Sequence, residues 1–243
     1  MDSLQKYILV TGATGGIGAA TALALAHKGA TLFLSARNGG ALEALKHQIS
    51  FATGREPGVF PTDLTSPAEV SQLLDEATRH FGEVPHAVVN AAGVGVVKPV
   101  ENITPEEFRN ALDVNLYGAM LLSQAAVRAM APRKSGHLLH VVGILGKAPM
   151  AQASAYCASK YGLSGFLAAL RAEVSRKHGL KVTGLYLGGV DTPFWDSPSI
   201  ELRVQRDKML TPDDAAEAVL YALSQPDHLV LGDLTLQPES HQL

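Results

Sequence analysis

Short, almost unbroken apolar runs alternate along this chain with longer segments in which apolar residues recur every three or four positions. The short runs are Tyr7–Thr11, Thr31–Ser35, Gly58–Pro61, His86–Asn90, His137–Val142, Lys181–Leu187 and His228–Leu234. Continuous apolarity over so few residues predicts strands covered on both faces rather than strands with one wet face. The longer segments, Gly16–Lys28, Ala41–Thr53, Pro67–Phe81, Pro105–Ala131, Ser154–His178 and Pro212–Ser224, predict helices. Two helix starts share one grammar. Thr104-Pro105-Glu106-Glu107 and Thr211-Pro212-Asp213-Asp214 each offer a Thr N-cap, a Pro in the first position and acids in the first turn. Strand–helix alternation at this spacing builds right-handed βαβ units. The pattern therefore predicts an α/β fold with a doubly wound, seven-stranded parallel sheet flanked by helices on both faces.

Length and composition narrow the picture. At roughly 150 residues per domain, 243 residues allow one domain or two. No linker, repeat or low-complexity stretch interrupts the alternation, so residues 1–243 read as one domain. Lys and Arg number 20 against 23 Asp and Glu, without an acidic or basic block. Nucleic acid is thereby disfavoured as a partner, because affinity for a phosphate backbone rests on clustered Lys and Arg. The single Cys157 forbids an intrachain disulfide and fits a reducing compartment. The opening MDSLQKYILVTG lacks the long apolar stretch and cleavage site of a signal peptide. No run approaches the roughly 18 apolar residues of a membrane span. A cytoplasmic protein is the expectation.

The first chemistry lies directly after the first strand. Thr11-Gly12-Ala13-Thr14-Gly15-Gly16-Ile17-Gly18 leads into an Ala-rich helix. Glycines there let the backbone turn tightly and approach a pyrophosphate, while the helix start presents free N–H groups and the positive end of its dipole. The loop lacks the Lys-Ser/Thr ending of a P-loop, which disfavours nucleoside triphosphate hydrolysis.

The Thr-Gly-x3-Gly-x-Gly spacing resembles the cofactor loop of the short-chain dehydrogenase/reductase family, and further matches follow in order. Asp63-Leu64 trails the third strand, Asn90-Ala91-Ala92-Gly93 ends the fourth and looks like the family's Asn-Asn-Ala-Gly, and Asn115 lies in the next helix. Tyr156-Cys157-Ala158-Ser159-Lys160 matches Tyr-x3-Lys, and Gly188-Gly189-Val190-Asp191-Thr192-Pro193 resembles Pro-Gly-x-Val-x-Thr with Leu187 in place of the Pro. The resemblance covers essentially the whole chain and implies a single-domain Rossmann fold. It also implies an oxidoreductase that transfers hydride between nicotinamide and a ketone or secondary alcohol. By the same resemblance Gly12, Thr14, Gly15, Gly16, Ile17, Gly18, Asp63, Leu64, Asn90, Ala91, Gly93, Val190 and Thr192 hold the cofactor. Tyr156 and Lys160 hold its nicotinamide ribose.

The second strand ends Ser35-Ala36-Arg37-Asn38, without the carboxylate that usually bonds an NAD ribose. Arg37 suits a bidentate hold on a 2′-phosphate, and Ser35 offers a hydroxyl. NADP(H) is the expected cofactor.

Tyr156 and Lys160 are four apart on a predicted helix and share a face. Ionising a tyrosine at pH 7 costs about 4 kcal/mol. A lysine cation 4–6 Å away supplies roughly 3–4 kcal/mol of attraction at an effective dielectric of about 20. The match predicts that Lys160 lowers the Tyr156 pKa. Resemblance assigns Tyr156 as general acid/base, Lys160 as its partner and Asn115 as holder of a proton-relay water.

One position departs from the family. Thirteen residues before its Tyr the family places a Ser that bonds the substrate oxygen; here that residue is Gly143. Losing one such donor typically costs about 10²–10³ in rate. Gly143 is open to three readings: room for a bulkier substrate, a backbone N–H donor, or a water. A catalytically weak nucleotide-binding protein, acting as sensor or partner, is the rival to a reductase.

The remaining candidates are quickly weighed. His137 and His140 lie on a strand at odd spacing, on opposite faces, so no metal site is expected. Cys157 reads as a packing residue, and no Gly-x-Ser-x-Gly elbow occurs. The stretch from Asp191 to Leu210 is long and partly aromatic; by resemblance it is the substrate lid, with Trp195 its leading apolar contact. The two longest helices carry surplus apolar surface, and family members often pair such helices into homodimers and homotetramers.

Overall fold

A computed structural model of the chain describes Leu4 and residues 6–240. Seven strands form one parallel sheet: β1 (Tyr7–Thr11), β2 (Thr31–Ala36), β3 (Gly58–Pro61), β4 (Ala87–Asn90), β5 (Gly136–Val141), β6 (Leu180–Leu187) and β7 (Asp233–Leu236). Their order is β3-β2-β1-β4-β5-β6-β7. The order reverses between β1 and β4, and it is at such a switch point that open parallel sheets leave a crevice for ligands.

The helices are α1 (Gly16–His27), α2 (Gly39–Thr53), α3 (Pro67–Phe81), α4 (Pro105–Leu112), α5 (Gly118–Met130), α6 (Ser154–His178) and α7 (Pro212–Leu223). Alternate residues of the central strands enter two apolar layers, as a sheet buried on both faces requires. One layer joins Ile8, Val10 and Leu34 to Leu25 of α1, Leu42 of α2 and Val219 of α7. The other joins Leu9, Val88 and Leu138 to Leu73 of α3, Leu122 of α5 and Leu163 of α6. This is the doubly wound parallel sheet that the apolar pattern predicts and the single-domain Rossmann fold that the resemblance implies. Both Thr-Pro-acid starts form reciprocal capping boxes, Thr104 with Glu107 and Thr211 with Asp214.

Two elements differ from the sequence reading. The segment Pro105–Ala131 is not one regular helix, because a π turn at Asp113–Tyr117 separates α4 from α5. Within it the Asn115 carboxamide turns onto the loop after β4, donating to the Val94 carbonyl at 2.9 Å and accepting from the Val94 N–H at 2.8 Å. The last strand also starts later than His228. Pro226 opens a turn closed by Leu229 N–H at 3.0 Å, which leaves Leu229 and Val230 exposed. The chain enters the sheet only at Asp233, opposite Gly184.

Candidate active site

The turn from β1 into α1 depends on Gly12. Its φ is +68°, and a β-carbon there would lie 2.4 Å from the Ala92 nitrogen. Only glycine combines that backbone with so close an approach of the loop after β4. Gly15 caps α1 without a side-chain acceptor, and no acid occupies the first turn. The positive end of the helix therefore opens onto a cavity of about 630 Å³. Thr14, Gly15, Gly16, Ile17 and Gly18 line it from below; Ala91, Gly93, Val190 and Thr192 line it from the ends of β4 and β6. An uncapped helix start facing a cavity, reached by glycine backbone, fits a dinucleotide pyrophosphate.

The other predicted cofactor residues stand outside that lining, at the same edge of the sheet. Thr11 of β1 pairs with Ser35 of β2, and Ala36 pairs with Pro61 of β3, so Arg37 and Asp63 leave neighbouring strands together. Arg37 is exposed. The Ser35 hydroxyl is enclosed and has no hydrogen-bond partner. Asp63 accepts from the Thr65 N–H and hydroxyl at 2.9 and 2.8 Å, which lowers its pKa, and the nearby Arg37 charge adds to this. Leu64 is buried.

Asn90 belongs to a buried chain of polar groups beneath the cavity. Its Oδ1 accepts from the Thr11 hydroxyl (2.8 Å) and the Ala92 N–H (3.1 Å), and its amide faces His140 Nδ1 at 3.2 Å. His140 Nε2 lies 3.0 Å from the Ser123 hydroxyl, which itself donates to Ala119 O. Every group is satisfied only if His140 is neutral with its proton on Nε2. Burial accordingly pushes its pKa down to about 3. The carboxamide thus fastens β1, β4 and β5 together and shapes the loop that carries Ala91 and Gly93.

Tyr156 and Lys160 sit one turn apart on α6 at the cavity floor. Lys160 Nζ lies 5.5 Å from the Tyr156 ring centroid and donates to Val141 O at 3.3 Å. Burial lowers the Lys160 pKa to about 8 and pushes that of Tyr156 above its ordinary value. Tyr156 thus shifts upward, opposite to the expected lowering, because burial disfavours its charged form and the neighbouring Cys157 adds to this. In this state Tyr156 is a protonated donor. Asn115 supports the pair from behind, with its amide on Ser159 Oγ at 3.0 Å and Ser159 donating to the Tyr156 carbonyl at 2.7 Å.

Gly143 closes the site beyond β5. With φ +88° and ψ 155° it occupies a region that is essentially reserved for glycine. Its N–H donates to Leu185 O at 3.2 Å, shared with the Val142 N–H at 2.8 Å, so this amide already has its acceptor. A β-carbon at 143 would meet nothing nearer than the Tyr156 hydroxyl, 3.7 Å away.

The stretch after β6 returns on itself through isolated bridges pairing Val190 with Leu210 and Val97 with Ile200. Trp195 lines the cavity, and its indole N–H donates to Val190 O at 2.8 Å. Its neighbour Phe194, another aromatic of the lid stretch, packs against Tyr156 with ring centroids 5.8 Å apart. Ile144, Leu145 and Met150 complete the apolar wall near Gly143. Their only sequence signal is apolarity in the segment between strand and helix.

The chain belongs to the short-chain dehydrogenase family, a family of oxidoreductases whose model matches residues 6–201. An uncharacterized oxidoreductase of Staphylococcus aureus strain USA300 is 35% identical over 234 residues, spanning 96% of this chain and 97% of its own. Among solved structures, an alcohol dehydrogenase from the archaeon Thermococcus sibiricus complexed with 5-hydroxy-NADP is 27% identical with a TM-score of 0.86, covering 97% of this chain and 98% of its own. A metagenomic short-chain oxidoreductase in complex with NADP is 30% identical with a TM-score of 0.82, covering 98% and 99%.

Proposed function

We propose that this protein is an NADPH-dependent carbonyl reductase or secondary-alcohol dehydrogenase. The observation that carries the reading is the meeting of the Tyr156–Lys160 pair with the glycine loop and the open start of α1 in one cavity. When bound, the dinucleotide supplies or accepts a hydride at its nicotinamide. Thr14, Gly15, Gly16, Ile17 and Gly18 would receive its phosphates, Ala91, Gly93, Val190 and Thr192 would hold its nicotinamide half, and Arg37 would meet the 2′-phosphate. NADP and 5-hydroxy-NADP in two related structures support that choice of cofactor. Asp63 and Leu64 border the adenine, and Asn90 acts through the loop that it shapes.

Tyr156 donates its proton to the carbonyl oxygen in reduction and takes one from the alcohol in oxidation. Lys160 would hold the ribose, with its charge one helical turn from the Tyr156 hydroxyl. Asn115 fixes the π turn behind Tyr156, where a relay water would approach. The stretch 191–210 acts as a lid, with Trp195 and Phe194 against the substrate. Phe108, Tyr117, Met120 and Tyr161 are large apolar residues exposed around α4 to α6, and they support pairing into a homodimer or homotetramer. A single buried cysteine supports a cytoplasmic setting.

The test is loss of NADPH absorbance across a panel of ketones and aldehydes, with Tyr156→Phe as control. Turnover in the wild type that falls at least about 10²-fold in Tyr156→Phe supports the reading. NADPH binding without turnover of any carbonyl would favour the second reading, a nucleotide-binding sensor, which the glycine at 143 in place of a hydroxyl donor keeps in view.

A further inference from the structure

The site has an asymmetry around the reacting oxygen. On one side stands the Tyr156 hydroxyl; on the other, where a β-carbon of residue 143 would lie, no heavy atom comes closer than 3.7 Å. The Gly143 N–H is held by Leu185 O, and the adjoining wall is apolar Ile144, Leu145 and Met150. Residue 143 itself offers no side-chain donor, and a β-carbon would fit in its place at ordinary contact distance from the Tyr156 hydroxyl. The φ of +88° shows that this backbone is built for glycine, so the opening is a feature of the fold.

A carbonyl bound there faces a weaker oxyanion site, a handicap of about 10²–10³ in rate. A substrate overcomes that handicap when its carbonyl is already electron-poor. A second carbonyl on the adjacent carbon provides this activation, because it withdraws electron density from the carbon under attack. It also projects a flat, oxygen-tipped group beside the first oxygen, of a size to enter the space over Gly143. We propose that the cavity is matched to vicinal dicarbonyl compounds, one carbonyl on Tyr156 and its neighbour over Gly143. This inference rests on the reductase reading above. In the step, hydride from the reduced nicotinamide cofactor adds to one carbonyl carbon as the C=O π bond breaks. The Tyr156 proton passes to the resulting oxygen. The second carbonyl is retained, the product is an α-hydroxyketone, and the cofactor leaves oxidised by two electrons.

The test compares 1-phenyl-1,2-propanedione with propiophenone, which shares its carbon skeleton but has one carbonyl. With NADPH, the wild type is expected to favour the dione by at least about 10² in kcat/KM. Intrinsic reactivity contributes to that ratio, so Gly143→Ala, which fills the space without adding a donor, is measured alongside. The dione/ketone ratio is expected to fall about tenfold, and strain common to both substrates cancels in it. Binding gives an independent readout. Trp195 is the chain's one tryptophan and lines the cavity, so its fluorescence reports entry of either compound without cofactor or turnover. The dione is expected to bind at least about tenfold more tightly than propiophenone in the wild type. If Gly143→Ala fails to fold, that wild-type pair decides alone, and equal dissociation constants overturn the proposal. A ratio unchanged by Gly143→Ala overturns it too. Turnover of propiophenone without preference for the dione removes this inference alone, whereas no turnover of any carbonyl removes the reductase reading with it.

Discussion

Gly143 faces the Tyr156 hydroxyl, which lies 3.7 Å from where a β-carbon of residue 143 would be. The relationship has a consequence for stability as well as for chemistry. At φ +88° and ψ 155° any L side chain is strained, whatever room surrounds it. Gly143→Ser is therefore expected to destabilise the fold by about 1–3 kcal/mol, read as a lower urea midpoint at unchanged slope. A midpoint equal to the wild type's would show that the turn after β5 relaxes to an ordinary conformation.

Arg37 is expected to set the cofactor preference. It stands exposed at the end of β2, beside the Asp63 carboxylate that its charge helps to stabilise. A charged hydrogen-bond partner lost from a phosphate is worth about 1.5–3 kcal/mol, or roughly 10- to 150-fold in affinity. Arg37→Asp should weaken NADPH binding by that factor and leave NADH binding equal or tighter, as measured by titration calorimetry. Equal loss for both dinucleotides would assign Arg37 to the fold rather than to the 2′-phosphate.

The strands and helices were legible in the sequence because a parallel sheet buried on both faces leaves continuous apolar runs. The capping grammar at Thr104 and Thr211 located two helix starts for a local, chemical reason. What escaped was set by tertiary contacts. No periodicity announces the π turn at Asp113–Tyr117, where the Asn115 carboxamide bonds the main chain of Val94, 21 residues away in sequence. Leu229 and Val230 read as strand because they are apolar, but the Pro226 turn leaves both exposed. Phe194 acquires its place against Tyr156 only when the 191–210 stretch folds back. The Tyr156–Lys160 pairing was legible, whereas the direction of the Tyr156 shift was not, because burial is a property of the assembled cavity.

Two buried histidines should make the fold acid-sensitive. His140 is held neutral by Asn90 and Ser123, and burial, reinforced by the Lys160 charge, takes its pKa to about 3. His137 lies 2.7 Å from the Thr183 hydroxyl, which donates to Leu231 O; burial and the charges of Lys181 and Lys6 take its pKa to about 4. In the unfolded chain both titrate near 6.5. Between that value and about 4 the unfolded state takes up protons that the native state does not. Stability is therefore complete above pH 6.5 and falls as the pH drops, by up to about 1.4 kcal/mol per unit for each histidine. Urea midpoints at pH 7 and pH 5 check this. The difference should shrink in His140→Asn, and a midpoint independent of pH over that range would contradict the neutral network.

Arg206 is expected to clasp the lid without supporting the fold as a whole. Its guanidinium reaches Asp191 at 3.3 Å and also pairs with Asp196, joining the last part of the 191–210 stretch to its first. These groups are well exposed, and exposed pairs are worth only about 0–1 kcal/mol, too little to move global stability noticeably. Local opening responds differently, because a segment with few buried contacts opens at low free energy and a loss of about 1 kcal/mol raises its open population about fivefold. Arg206→Gln should thus leave the urea midpoint within error of the wild type. Tryptic cleavage after Arg203 and Lys208, followed by mass spectrometry, should accelerate several-fold. Unchanged cleavage would mean that the Val190–Leu210 and Val97–Ile200 bridges alone hold the stretch closed, and a lower urea midpoint would make Arg206 a structural residue of the whole domain.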